Sequence, residues 1–478
     1  MLSNTSVVVG LYPPTIPHKR CNLLSAWFVK GRLTAEKVQK FFTESQIPKD
    51  NAFLNLRRVW TTFLGYAFWK TDINFNISNH IRQYDYGGGL NLPVPSSADD
   101  IKEILSKLET VGWREHQSPW ELLFVNSVLD STDGSTQTCI IIRSDHVLGD
   151  GFSIYNFLDA LFNKETIFPG KNSGQVKIST ATKLRTFFTL PYYTVLSFVP
   201  LLFGSKIYVG KLSNDVRCSF SPGIPVKNCK DIAKFHKVSF QAVVQCVVQR
   251  AIMKALLETT ISIPKNVCIR SPIPVYSSPN HPTGFVNYFT LATAELPTLF
   301  DPVSTHLIQI ERNLTGMKSF STELLYQNVT GIISAFPIAI RRVMCKFLSD
   351  FGLSYAISTF PCPIHPEYID GLEITQMIAI TGIHGSPGMT VLTAGTNQEL
   401  VFGFCVDRVI FQPEETIRKL GIFVEDEIND LLKIVQENPP FENNLNDNFK
   451  DGAKDRTRQM IAELLALADQ VFQKDLKY

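Results

Sequence analysis

Short β-favouring runs alternate along most of the chain with stretches whose apolar residues recur at helical spacing. An apolar run over residues 138–143 predicts a strand, and the residues that follow predict a helix. The apolar positions of that helix are Phe152, Tyr155, Leu158, Leu161 and Phe162. The alternation continues to about residue 180 and resumes after about residue 215. It therefore predicts an α/β fold of two halves with mixed sheets.

Smaller signals place further elements. Thr34 and Ser97 suit the N-caps of helices, and the second of these helices would bury Ile101, Ile104, Leu105 and Leu108 on one face. Further helices are predicted near 240–257 and over 414–435, with strands within 267–296. The 478 residues are too many for one ordinary core. We expect an N-terminal half (1–180), a hydrophobic crossover (181–215), a C-terminal half (216–436) and a polar linker with an amphipathic helix (437–478).

Charge and cysteine usage narrow the class of partner. The net charge is +2 and the chain has no long basic run, which argues against a nucleic-acid ligand. The nine cysteines are scattered without a CxxC pair, as expected for reduced thiols facing the cytosol. Cys362 and His365 lie close together in sequence but have no companion pair, so we expect no metal site. Residues 1–20 do not have the pattern of a secretory signal.

The stretch His146-Val-Leu-Gly-Asp150-Gly151 lies between the predicted strand and helix. A neutral imidazole near pH 7 suits a general base that removes a hydroxyl proton during acyl transfer, which makes His146 the candidate base. Asp150 could pair with an arginine and lock the loop, and Gly151 would leave room for the close approach of a ligand. The alternative is structural: an Asp-Gly pair often forms a plain turn, and a single histidine is often only a satisfied polar residue.

Several segments resemble the wax ester synthase/acyl-CoA:diacylglycerol acyltransferase family, within the larger superfamily of CoA-dependent acyltransferases and peptide-synthetase condensation domains. The resemblance covers most of the chain, and its strength lies in the order of the motifs. They are the His146 motif and the segments Cys21–Phe28, Gly31–Glu36, Phe75–Ile81, Ser118–Phe124, Arg270–Val275, Asn287–Pro297, Ser358–Pro363 and Leu400–Asp407.

The resemblance implies a two-domain fold like that of chloramphenicol acetyltransferase, with an active-site tunnel at the domain interface. It implies an ion pair between Asp150 and Arg270 that clamps the two halves together. Asn287 matches a polar residue near the reacting centre that could support the oxyanion, and an interior Asn bonded to backbone is the alternative. The chain also departs from the family, which usually has a histidine at the position of Asp145. That carboxylate could instead raise the proton affinity of His146.

An uncharged stretch from Thr186 to Gly204 separates the halves and is long enough to cross a bilayer. Pro191 and Pro200 interrupt it, and a single crossing would place His146 and Arg270 on opposite sides of the membrane. We therefore interpret the stretch as an in-plane anchor or tunnel lip, with a buried core helix as the alternative. The 34 phenylalanines are compatible with a tunnel lined by apolar side chains or with ordinary core packing.

Together these features predict an acyl-CoA-dependent O-acyltransferase that makes wax esters, triacylglycerol or both. Acyl-CoA would be a co-substrate, a lipid alcohol the acceptor, and no cofactor would be permanently bound. A membrane or lipid-droplet surface is the expected location, on the cytosolic face of the endoplasmic reticulum or a similar membrane. The alternatives are a transferase for a different alcohol or amine, and a non-catalytic protein that binds lipid or membranes on the same fold.

Overall fold

The computed structural model describes residues 5–6, 10–11, 21–130, 133–169, 179–273, 275, 281–298, 302–318, 320–350, 352–383 and 387–438. The predicted C-terminal amphipathic helix and nearly all of the predicted linker lie outside these residues. The helices are α1 (Ala35–Glu44), α2 (Ala98–Leu108), α3 (Gly151–Phe162), α4 (Thr180–Phe203), α5 (Val226–His236), α6 (Phe240–Leu257), α7 (Val303–Met317), α8 (Phe320–Ala335), α9 (Ile338–Asp350) and α10 (Glu415–Glu437).

The strands form two large mixed sheets and one hairpin. They are β1 (Asn22–Val29), β2 (Arg58–Phe63), β3 (Tyr66–Thr71), β4 (Ile81–Gln83), β5 (Trp120–Leu129), β6 (Thr136–Asp145), β7 (Val216–Phe220), β8 (Ile224–Pro225), β9 (Asn266–Ile273), β10 (Thr290–Pro297), β11 (Leu353–Thr359), β12 (Tyr368–Ile369), β13 (Leu372–Thr381), β14 (Met389–Gly395) and β15 (Glu399–Asp407). Among the described residues, the helices and strands predicted from the sequence pattern are present.

The first sheet has the order β12-β13-β1-β6-β5-β4, and it is antiparallel except for the β4–β5 pair. Side chains alternate across β1, because successive residues of a strand point to opposite faces. Trp27 and Val29 pack in a core shared with α1 and α3, whereas Ala26 and Phe28 pack with α2. The sheet is therefore covered by helices on both faces.

The N-caps of α1 and α2 follow the sequence prediction. The Thr34 side chain accepts a hydrogen bond from the Lys37 N–H, and Ser97 forms a capping box with Asp100. The four apolar residues predicted for one face of α2 are all buried. These local contacts fix where both helices begin.

The second sheet has the order β10-β9-β11-β14-β15-β7, with β8 paired to β15. Strand β11 runs parallel to β9 and β14, and the other neighbours are antiparallel. Among the described residues, α6 is the helix long and apolar enough to cross a membrane by length and composition, and 72% of that window is buried inside the protein. Its burial in the core of this half is what a core helix shows.

The C-terminal half also contributes strands to the first sheet. Strand β13 pairs with β1 in an antiparallel register that sets Trp27 opposite Met377. On the other side of β1, β6 is aligned so that Asp145 lies opposite Asn22. The strand that leads into the His146 motif is thus held near the middle of a sheet built from both halves of the chain.

Candidate active site

The loop between β6 and α3 carries the His146 motif, as predicted from the sequence. The backbone N–H of His146 donates to the carbonyl of Cys21 at 2.8 Å, which ties the loop to the start of β1. Asp150 is the N-cap of α3, and its Oδ1 accepts from the Ser153 N–H at 3.1 Å. Both ends of the loop are therefore fixed by backbone hydrogen bonds.

The His146 ring lies against Asn287, which comes from the segment that precedes β10. The distance from Nδ1 of His146 to Oδ1 of Asn287 is 3.1 Å. The amide nitrogen of Asn287 donates to the carbonyl of His146 at 2.7 Å and lies 3.2 Å from that of Val147. Since carbonyls only accept, the amide oxygen must face the ring, and Nδ1 must carry the proton. The lone pair is thereby assigned to Nε2.

The same contacts correct the expectation that Asn287 supports an oxyanion. Its amide N–H groups are used by backbone carbonyls and by Oγ of Ser6, which is 3.0 Å away. Asn287 therefore orients the imidazole. The alternative, an interior Asn bonded to backbone, holds for the amide nitrogen, whereas the amide oxygen contacts the His146 ring.

Burial keeps the His146 imidazole neutral. The side chain is half-buried, and desolvation lowers the pKa of His146 below its ordinary value, against the opposing charge of Asp150 and the hydrogen bond with Asn287. A ring with a lowered pKa is in its basic form at neutral pH. This is the state that proton abstraction requires.

The carboxylate of Asp150 is held by His281, not by Arg270 as expected. Nε2 of His281 lies 2.9 Å from Oδ1 and 3.1 Å from Oδ2 of Asp150, and the Tyr288 N–H donates to Oδ2 at 2.8 Å. Burial raises the pKa of Asp150, but hydrogen bonds and charge from His281, with the Tyr288 and Ser153 N–H groups, outweigh it and hold the pKa below its usual value. The clamp between the halves exists, with His281 in the place expected for Arg270.

Arg270 lies elsewhere, on β9, where it pairs with Thr293 of β10 and Ala356 of β11. Desolvation lowers the pKa of Arg270, and the groups that oppose this shift are Tyr326, Cys268 and Cys345. Asp150 is not among them. Motif matching finds Arg270 in the sequence, but it does not say toward which part of the protein the side chain points, because that depends on the path of the chain.

Asp145 and Gly151 also differ from the expectation. Oδ1 of Asp145 accepts from the Val147 N–H at 2.9 Å, so this carboxylate supports the turn, and the carboxylate that raises the pKa of His146 is Asp150. A Cβ on Gly151 would lie 2.8 Å from the ring of Phe360. The space beside Gly151 is therefore filled by the protein's own aromatic side chain, where we expected a ligand.

Ser153 completes the connection between the halves. Its hydroxyl donates to the Val286 carbonyl at 2.6 Å and accepts from the Val286 N–H at 2.9 Å. The family usually has a glycine at Val286, and here the backbone of this residue makes the contact. Helix α3 is thus joined to the segment that carries Asn287 by a fully buried side chain.

Residues 286–425 match the family model described as WS/DGAT C-terminal domain. This segment is similar to WS/DGAT C-terminal domains. It contains Asn287, Tyr288 and Phe360, whereas His146 and Asp150 come from the other half of the chain and His281 lies just before the domain. The match confirms the resemblance inferred from the motifs. Among curated proteins, no sequence matches this chain.

Solved structures share the fold along most of the chain. The wax ester synthase/diacylglycerol acyltransferase from Marinobacter aquaeolei VT8 is 14% identical, with a TM-score of 0.58 over 91% of this chain and 99% of its own. Trichothecene 15-O-acetyltransferase from Fusarium sporotrichioides is 13% identical, with a TM-score of 0.57 over 90% and 95%. A starter condensation domain of rhizomide synthetase in complex with C8-CoA is 11% identical, with a TM-score of 0.51 over 90% and 94%.

These matches confirm the fold class, an α/β fold with mixed sheets whose structural neighbours are two-domain acyltransferases of the chloramphenicol-acetyltransferase and condensation type. The WS/DGAT domain and this fold support an acyltransferase. Within the described part of the chain, no group of three or more His, Cys, Asp or Glu side chains could hold a metal ion.

Sequence reasoning missed His281 and Ser6. His281 follows a segment outside the described residues, and a histidine before a proline carries no local mark of an ion pair. Ser6 contacts Asn287 across 281 residues of chain. Both contacts depend on tertiary structure. For His281, the one signal in the sequence is that a buried Asp150 needs a hydrogen-bonding partner; for Ser6, the sequence gives no signal.

Proposed function

We propose that the protein is an acyl-CoA-dependent O-acyltransferase that esterifies a lipid alcohol, a long-chain fatty alcohol first and diacylglycerol second. The proposal is carried by one observation, the contact between Nδ1 of His146 and Oδ1 of Asn287. This contact leaves Nε2 as the basic atom of a neutral ring. His146 is the proposed general base, and Asn287, Asp145, Asp150 and Gly151 hold it in place.

In the proposed reaction, Nε2 of His146 takes the proton of the acceptor hydroxyl as its oxygen attacks the thioester carbonyl carbon. The C–O bond forms, and negative charge moves to the carbonyl oxygen. When the carbonyl reforms, the C–S bond breaks and the CoA sulfur takes the proton from Nε2. The products are an ester and CoA, and His146 returns to its starting state.

The choice of substrates rests on the relatives. The WS/DGAT domain points to lipid esters, and the Marinobacter structure is that of a wax ester synthase/diacylglycerol acyltransferase. A condensation domain of this fold is known in complex with C8-CoA, which supports acyl-CoA as the donor. We further propose that the protein works at the cytosolic face of a membrane, the endoplasmic reticulum or a lipid droplet, where such alcohols reside.

The test is ester formation by the purified protein from radiolabelled palmitoyl-CoA and a panel of acceptors. Hexadecanol and dioleoylglycerol represent lipid alcohols, and a polar alcohol and a primary amine represent other acceptors. Label in wax ester or triacylglycerol supports the proposal. Label found only in the product of the polar alcohol or the amine would show a different acceptor class. Binding of palmitoyl-CoA to the protein without any labelled product would show a protein that binds the donor and has lost turnover.

A further inference from the structure

Helix α4 presents an apolar stripe to solvent. Among its described side chains, the exposed large apolar residues are Leu184, Phe187, Phe188, Tyr192, Val195, Val199 and Phe203. Without Phe187, the other six are spaced four, four, three, four and four apart, which places them on one face along the helix. Phe188 is 71% exposed and Phe203 is 81% exposed. A helix of a soluble domain normally turns such a face inward. The other side of α4 packs on α8 and α9, for example through the 2.9 Å contact between the Thr189 and Ser321 hydroxyls.

Two neighbouring elements expose apolar side chains as well. Helix α9 exposes Ile340, Val343 and Phe347 at helical spacing. The tip of the β2–β3 hairpin exposes Phe63 and Leu64, the latter by 81%. The tip is joined to the start of α9, because the Ile338 N–H donates to the carbonyl of Gly65 at 2.7 Å. We call the exposed apolar residues of α4, α9 and this tip the apolar face.

Most of the sequence that carries the apolar face lacks acidic residues. Residues 58–71, 180–203 and 324–349 together contain no Asp or Glu, although a stretch of this length would hold about six at the average composition of the chain; the next residue, Asp350, ends α9. The same stretches contain six basic residues that are not fully buried, namely Arg58, Lys70, Lys183, Arg185, Arg342 and Lys346, whereas Arg341 is buried. Apolar side chains rimmed by lysine and arginine fit the surface of an anionic bilayer.

The apolar face adjoins the His146 loop. Val147, the residue after His146, packs in a small cluster with Trp60 and Ala67 of the hairpin and Ile338 of α9. The elements that carry the exposed residues therefore touch the loop of the proposed base directly.

We propose that the apolar face docks in the plane of an anionic phospholipid membrane and that the acceptor alcohol enters from that side. The second clause rests on the proposed function, whereas the first stands on exposure and charge alone. The proposal extends the anchor expected for 186–204 to the hairpin and α9. A crossing of the membrane by α4 is not part of it, because the opposite side of this helix is occupied by α8 and α9.

The experiment is cosedimentation of the full chain with vesicles of phosphatidylcholine alone and of phosphatidylcholine with phosphatidylglycerol. The test variant is Leu184→Ser with Phe188→Ser and Tyr192→Ser. The matched control is Ile73→Ser with Val94→Ser and Val209→Ser, which removes three apolar side chains that are more exposed than the test residues and lie outside the apolar face. A second variant, Lys183→Glu with Arg185→Glu, leaves the apolar stripe intact and keeps the test valid if the triple variant misfolds.

We expect the wild type and the control to pellet with anionic vesicles. The vesicle partition coefficient of the triple serine variant should be at least about tenfold lower. The charge variant should lose its preference for anionic lipid, and added salt should weaken wild-type binding. Wild-type protein that stays in solution with both vesicle types, or serine and control variants that bind alike, would overturn the proposal. Binding without ester formation would leave the docking proposal intact and refute only the proposed function.

Discussion

Nε2 of His281 lies 2.9 Å from Oδ1 of Asp150, and this contact joins the start of α3 to the segment that leads into β10. Oδ2 of the same carboxylate accepts from the Tyr288 N–H, so both oxygens are held. The residue that fixes the motif loop thus comes from the far half of the chain, as the family resemblance implied, although it is a histidine.

Replacing Asp150 by Ala should lower the free energy of unfolding by about 3–5 kcal/mol, because the buried contact with His281 is broken and that side chain loses its partner. His281→Arg places a guanidinium beside Asp150 and should retain most of the stability. Urea denaturation of the two variants measures both effects. If the Asp150→Ala protein is as stable as the wild type, the contact between Asp150 and His281 does not stabilise the association of the two halves.

Asn287→Ala should reduce ester formation by about 10²-fold, because the imidazole loses the acceptor that fixes Nδ1–H and can rotate away from the acceptor hydroxyl. A purely structural role would lower stability without moving the rate per folded molecule. The rate should therefore be normalised to folded protein, with Ser6→Ala as the matched control that removes a contact to the same amide. Equal rates for Asn287→Ala and the control would contradict the orienting role.

The motif loop and its flanking elements could be predicted from sequence because their signals are local. The strand over 136–145, the helix from Gly151 and the caps at Thr34 and Ser97 depend on residues within a few positions of one another. The partner of Asp150 could not be predicted in this way. Arg270 and His281 are only eleven positions apart in sequence, and which of them reaches Asp150 depends on the path of the chain after β9.

The role of α4 shows the same limit. Its composition left an anchor and a core helix equally open, since both need an uncharged apolar stretch. The spacing of Leu184, Phe188 and Tyr192 defines one face, but sequence does not say whether that face meets protein or solvent. In the structure α8 and α9 pack on the opposite side of α4, and the stripe itself is exposed to solvent; its contact with a membrane is a proposal.

Gly151→Ala should destabilise the protein by about 1–3 kcal/mol, because its Cβ would collide with the packed ring of Phe360. Combining it with Phe360→Leu should recover part of that loss by making room. Thermal unfolding of the single and double variants, with Phe360→Leu alone as reference, measures this coupling. If the losses in stability of the two single variants simply add in the double variant, the cost of Gly151→Ala does not come from its contact with Phe360.

Acid should weaken the fold through His80, whose ring stacks between Phe75 and Trp120 with centroid distances of 4.8 and 4.6 Å. Desolvation lowers the pKa of His80 to about 4. Below pH 6.5 the unfolded chain binds a proton that the folded chain does not, so falling pH favours unfolding, by about 3 kcal/mol between pH 6.5 and 4.

His80→Gln should flatten this part of the stability profile, because glutamine does not titrate. Urea denaturation at a series of pH values provides the measurement, and the exposed Glu115 gives a control site in Glu115→Gln. If wild type and His80→Gln lose stability in parallel from pH 6.5 to 4, the proton uptake occurs at another group.

The central claim is that Nε2 of His146 removes the acceptor proton, and the direct test is the initial rate of radiolabelled ester formation by His146→Ala. Palmitoyl-CoA and hexadecanol are the substrates, and circular dichroism checks that the variant is folded. We predict a loss of about 10²–10⁴-fold relative to wild type, the usual contribution of a positioned general base. A folded His146→Ala protein that forms ester at the wild-type rate would contradict the account.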